Sequence, residues 1–85
     1  MEDEIVTGET VEEYQTQNIN NKGIANNSVI TGASVKQNIN SGGMANDAII
    51  KSGGNQYIYA GGVANNSLII GEGIQTINVG GVIIP

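Results

Sequence analysis

The side chains able to do acid–base or nucleophilic work are few. The 85-residue chain contains no histidine and no cysteine. Six of its eight carboxylates (Glu2, Asp3, Glu4, Glu9, Glu12 and Glu13) fall within the first thirteen residues, and only Asp47 and Glu72 follow. Those two stand at different places of the repeat described below. Acid–base catalysis by paired carboxylates needs two groups converging on one bond, so an enzyme is not expected and no catalytic residue is assigned. A calcium-binding nonapeptide solenoid needs an aspartate in each turn. Here Asp47 is alone, with Asn27 and Asn66 at the equivalent places. Hard-cation affinity follows carboxylate charge, so neither a metal nor another cofactor is expected. Asn26-Asn27-Ser28 and Asn65-Asn66-Ser67 match the N-glycosylation acceptor pattern. Asn26 and Asn65 also form a column with Asn46, and that structural role is favoured. Tyr57 and Tyr59 share an outward face with Asn38, Asn40, Thr76 and Asn78 as neighbours. Such a patch could take a sugar or another solenoid, although two strand-favouring tyrosines on a solvated sheet account for it more simply.

What positions these side chains is an internal repeat. Glutamines recur at Gln17, Gln37, Gln56 and Gln75, at steps of 20, 19 and 19 residues. Two places on come Ile19, Ile39, Ile58 and Ile77. A glycine step follows at Gly23, Gly43, Gly62 and Gly81, then Ala25-Asn26, Ala45-Asn46 and Ala64-Asn65. Apolar pairs close the unit at Val29-Ile30, Ile49-Ile50 and Leu68-Ile69. A fixed period of this length marks a solenoid. Alternation makes Gln-x-Ile-x a short strand whose isoleucine points inward. Gln shares that parity, so Gln17, Gln37, Gln56 and Gln75 must satisfy buried amides, which stacking on the next coil does. The glycine pairs predict a bend with positive φ. Lys22-Gly23 in the first copy makes the second glycine of the pair the more demanding one. Ala25, Ala45 and Ala64 suit a crowded corner. Asn26, Asn46 and Asn65 suit a left-handed backbone and a ladder. Ser28-Val29-Ile30 and its equivalents form the second strand.

Thirteen glycines and the β-branched bias argue against helices. The fold expected is all-β: a right-handed parallel β-solenoid of about four coils of 19–20 residues, roughly 20 Å tall. The coils are read at 17–36, 37–55, 56–74 and a partial 75–85. The one extra residue lies near Val35-Lys36. Residues 1–16 are read as an atypical acidic leader or cap, with a short strand at Ile5-Val6-Thr7 and with Val11 and Tyr14 as buried groups. Terminal repeats must close an open core and protect unpaired strand edges.

The net charge of −5 comes from that leader; in the repeats Lys22, Lys36 and Lys51 face Asp47 and Glu72. No basic stripe exists, so a nucleic-acid partner is not expected. No apolar run is long enough to cross a membrane, and no secretory signal pattern is visible. Without cysteine the redox compartment is undetermined.

The order Gly-Gly-x-Ala-Asn, two apolar residues, Gly-Gly-x-Gln-x-apolar, then Gly-Gly runs through residues 42–62. It resembles the 19-residue strand-loop-strand repeat of AIDA-type autotransporter passengers, and the likeness extends over residues 17–85. The resemblance implies a bacterial cell-surface or secreted segment of a longer exported protein, acting in self-association or adhesion. Its partners would be other copies of itself, neighbouring solenoids or host surface ligands. The resemblance also implies an alternative role as acceptor for O-glycosylation, with heptose on serine or threonine, by a dedicated glycosyltransferase. The matching acceptors are Ser28 and Ser67 after Asn-Asn, and Ser41 and Ser52 before glycine; Ala48 breaks the Ser28 column in one copy. A third reading is a self-assembling block that stacks through open coil ends.

Overall fold

A computed structural model describes residues 2–85; Met1, part of the leader read at 1–16, lies outside the described residues. The described residues form a parallel β-solenoid of about four turns with no helix. Each turn supplies three short strands, one to each of three sheets. The first sheet stacks β1 (Ile5–Thr7), β4 (Ile24–Asn26), β7 (Met44–Asn46), β10 (Val63–Asn65) and β13 (Val82–Ile84) in that order. The second stacks β2 (Thr10–Val11), β5 (Val29–Thr31), β8 (Ile49–Lys51) and β11 (Leu68–Ile69). The third stacks β3 (Thr16–Ile19), β6 (Lys36–Ile39), β9 (Asn55–Ile58) and β12 (Ile74–Ile77). All pairings are parallel, and Gln56 lies opposite Gln37 and Gln75, as Ala45 lies opposite Ala25 and Ala64.

The number of faces per coil, left open by the sequence, is three. The Ala-Asn segment, expected to be a corner, is the first sheet's strand. Its alanines point inward and are fully buried, while Ile24, Met44 and Val63 point outward and are half-buried. Small residues inside let this sheet lie close to Ile19, Ile39 and Ile58, with which Ala25, Ala45 and Ala64 form one core column. A second column holds Val11, Ile30, Val35, Ala48 and Ile50, with Ile69 against it.

Backbone conformation differs from expectation at two corners. In the glycine pairs the first member takes the positive φ: Gly42 +83°, Gly61 +84° and Gly80 +92°, with Lys22 at +64° in the same place. The second member is required by packing instead. A Cβ on Gly43 would sit 2.5 Å from the Ile19 carbonyl oxygen, and one on Gly62 would meet the Ile39 carbonyl oxygen just as closely. At the Asn corner the left-handed residues are Asn27, Asp47 and Asn66 (φ 56°, 57° and 59°), one place after the asparagine column. Asn26, Asn46 and Asn65 are extended strand residues.

Towards the N-terminus the sheets continue. Ile5 pairs with Ile24 and Thr10 with Val29. Val11 is buried, but Tyr14, expected inside, is 79% exposed at a left-handed turn residue (φ 67°). The longer turn of the first full coil holds Val35, whose side chain fills the second core column.

Candidate functional site

The polar chemistry of this solenoid is carried by columns of amides, because a parallel in-register stack puts identical side chains one coil apart. Inside, Gln37 Nε2 donates to Gln17 Oε1, Gln56 Nε2 to Gln37 Oε1 and Gln75 Nε2 to Gln56 Oε1, each at 2.7 Å. Every bond runs in the same sense, so the ladder has a donor end and an acceptor end. At the donor end Gln17 Nε2 donates to Glu9 Oε1 at 2.6 Å and to Ser28 Oγ at 3.2 Å. Gln56 Nε2 also donates to Ser67 Oγ at 3.1 Å. A buried amide left unpaired is costly, and the shared geometry of the coils supplies the partner.

Outside, three further ladders run along the stack. Asn46 Nδ2 donates to Asn26 Oδ1 at 2.9 Å and Asn65 Nδ2 to Asn46 Oδ1 at 3.2 Å, on the first sheet. On the third sheet Asn38 Nδ2 donates to Asn18 Oδ1 at 3.0 Å and Asn40 Nδ2 to Asn20 Oδ1 at 2.8 Å. Tyr57 then lies opposite Asn38. It offers no amide donor, and the buried Asn38 Oδ1 has no hydrogen-bond partner. The Tyr57 and Tyr59 rings lie side by side with centroids 6.3 Å apart and planes 20° apart.

The four serines are divided by the fold. Ser28 is fully buried and its hydroxyl faces the Gln17 amide; Ser67 is half-buried and bonded to Gln56. Their hydroxyls belong to the interior ladder. Ser41 and Ser52 lie exposed in the turns after the third and second sheets. Ile19, Ile39 and Ile58 are fully buried, whereas Ile77, in the same column on the last strand of its sheet, is 48% exposed. Asp47 Oδ1 accepts from Asn66 Nδ2 at 2.7 Å across one coil of the exposed corner. Among the described residues no group of three acidic, histidine or cysteine side chains converges on a metal position, and the surface has no pocket.

Sequence reasoning missed two features. One is Glu9, which precedes Thr10-Val11 as Ser28 precedes Val29-Ile30, and so is the first coil's counterpart of the interior serine. The signal was this offset, hidden by reading the acids as a bulk charge. The other is an outward apolar row along the first sheet: Ile5, Ile24, Met44, Val63 and Val82, in register through all five strands.

Three parallel sheets closed around Ile, Ala and Gln columns define a β-solenoid repeat protein. No protein-family model and no curated protein matches the chain. Among solved structures it is similar to the crystal structure of a TibC-catalysed, hyper-glycosylated fragment of TibA, with 20% identity and a TM-score of 0.61. The likeness covers 94% of this chain and 39% of that one, so this chain spans well under half of the TibA fragment. At that identity the likeness shows the fold.

Proposed function

We propose that the chain is a repeat segment of a bacterial autotransporter passenger of the AIDA type, acting at the cell surface or after secretion as a structural, self-associating or adhesive element. The observation that carries this reading is the joint register of the Gln, Ala-Asn and glycine columns on a fold that matches the TibA fragment over 94% of the chain. Its chemistry suits such a role. The interior holds aliphatic and amide columns, and the third sheet presents rows of asparagines whose outer groups can bond to a neighbouring solenoid.

The same segment serves as an acceptor for a glycosyltransferase of the kind that modifies TibA. Acceptance by the folded chain falls to Ser41 and Ser52, which are exposed, and not to Ser28, whose hydroxyl is buried against Gln17. Ser67 is disfavoured in the same way by its bond to Gln56. The test is intact-mass analysis and peptide mapping of the chain produced together with TibC. Sugar-sized increments at Ser41 and Ser52 are expected. No added mass would remove the acceptor role, and efficient modification of Ser28 would show that acceptance precedes folding. For self-association, light scattering of an Asn38→Ala, Asn40→Ala double variant is the test. Unchanged association would exclude the third sheet as the surface used.

A further inference from the structure

Two aromatic side chains interrupt the outward amide columns of the third sheet. Tyr57 stands between Asn38 and Thr76. Tyr59 stands between Asn40 and Asn78: its backbone N–H donates to the Ile39 carbonyl oxygen as Asn40 donates to that of Ile19 and Asn78 to that of Ile58. Their strand, β9, lies between β6 and β12, so the rings sit on the flank of the solenoid and not at an end. Tyr57 is half-buried and Tyr59 is exposed. The two rings are near-parallel neighbours along the strand. Around them hydrogen-bonding capacity is left over. Asn38 Oδ1 is closed off without a partner. Asn78 Nδ2, with Tyr59 one coil below it instead of an asparagine, reaches only the Ile58 carbonyl oxygen at 3.4 Å. Neither column contains a charged side chain.

We propose that Tyr57 and Tyr59 form a binding site for a neutral, β-linked glycan of gluco-configured sugars. The proposal stands on this face alone and does not depend on the passenger reading. A pyranose whose hydroxyls are equatorial has apolar C–H faces and a polar rim. Its faces pack on tyrosine rings, which join an apolar body to a polar tip. Its rim hydroxyls meet Asn40, Asn78 and Thr76, which supply both donors and acceptors. A rotamer change of Tyr57, of a kind common on binding, brings Asn38 Oδ1 the donor it lacks. Because the rings follow one another along the strand, the glycan lies across the stack. Two other occupants fit less well. A nucleic-acid strand would stack on the rings, but its phosphates need cations and these columns offer none. A neighbouring solenoid would bond to the asparagines that recur from coil to coil, whereas the tyrosine pair occurs in one coil only and suits a ligand one or two sugar rings long. Among the described residues the surface has no pocket, so the dissociation constant is expected on the order of 1 mM.

Titration of the full chain with cellotetraose, followed by backbone amide chemical shifts, tests this. Saturable shifts are expected at residues 38–40, 57–59 and 76–78, half-complete at about 1 mM. Tyr57→Ala and Tyr59→Ala are each expected to weaken binding about tenfold. Tyr57→Phe and Tyr59→Phe keep the rings and should stay within about threefold of the parent. Tyr14→Ala, on a turn of the first coil, should change nothing. Far-UV circular dichroism checks that each variant keeps its sheets. No shift with either cellotetraose or chitotetraose up to about 10 mM would overturn the proposal. So would binding that survives the Tyr57→Ala, Tyr59→Ala double variant in folded protein. Dimerisation in light scattering that the double variant abolishes, without any response to the sugars, would overturn it too and assign the rings to a second solenoid.

Discussion

Replacing Gln37 should destabilise the chain more than its neutral side chain suggests. Gln37 is fully buried in the middle of the ladder, with a donor bond to Gln17 and an acceptor bond from Gln56, both 2.7 Å. In Gln37→Ala the Gln17 carbonyl oxygen loses this donor inside the protein. The Gln56 amide keeps only the Ser67 hydroxyl at 3.1 Å. An orphaned buried acceptor costs about 1–3 kcal/mol, and the vacated volume adds about 1–2 kcal/mol. The expected loss is therefore about 3–4 kcal/mol, against a total stability of roughly 4–13 kcal/mol for a domain of this length. Gln37→Leu separates the two contributions. It keeps the volume and removes both hydrogen bonds, and should cost about 2 kcal/mol. Asn38→Ala removes a bond of the same chemistry on the exposed face and should cost about 0.5 kcal/mol, because water replaces the lost partner. Equilibrium urea unfolding followed by far-UV circular dichroism measures all three, provided the denaturant slope stays constant. A Gln37→Leu variant within about 0.5 kcal/mol of the parent would refute the reasoning, since the ladder would then contribute no net stability.

Gly62→Ala should cost about 3 kcal/mol in the same assay, because the new Cβ would collide with the Ile39 carbonyl oxygen of the preceding coil. Gly8→Ala, with no atom within 4 Å of its added Cβ and φ +75°, should cost only the backbone strain of about 1 kcal/mol. Lys22→Gly should raise stability by up to about 1 kcal/mol, since Lys22 holds a left-handed conformation where three later coils use glycine. Ser28→Ala should lower stability by about 1 kcal/mol or less, because Ala48 already fills that place in the next coil and Gln17 keeps its bond to Glu9.

Columns of four or five equivalent residues were legible in the sequence, because stacking forces side chains of one register into one environment. The isoleucine and glutamine columns are of this kind. The three-faced cross-section was not legible. Each first-sheet strand has three residues, too short to display a period of two, and its polarity is inverted relative to the usual rule: alanine faces the core and isoleucine, methionine or valine faces out. A small residue beside glycines resembles a corner until the facing isoleucine column shows why a small residue is needed there. The left-handed position was misplaced by one residue for a related reason. Asn26 and Asn27 are both asparagine, and only the ladder bond from Asn46 distinguishes the strand residue from the turn residue. The serine positions were equally ambiguous. Ser28 and Ser41 look alike in sequence, yet one is bonded inside to Gln17 and the other lies on an exposed turn.

The interior repeats so closely that it cannot by itself limit the length of the stack. Any coil with Gln, Ile and Ala in register could lie on any other, and its amide would find the same partner 2.7 Å away. Distinctions between coils come from residues that break the pattern. Glu9 does so at the serine position: it accepts from the Gln17 amide with a charged group where later coils have a neutral one. Tyr57 does so on the third sheet, where it interrupts the Asn18–Asn38 ladder and leaves the Asn38 oxygen unpaired. The extra turn residue that accompanies Val35 does so in the second core column. Ile83 does so on β13, where it stands in place of the small residue of the alanine column. In a repeat protein whose coils are otherwise interchangeable, these departures hold the positional information.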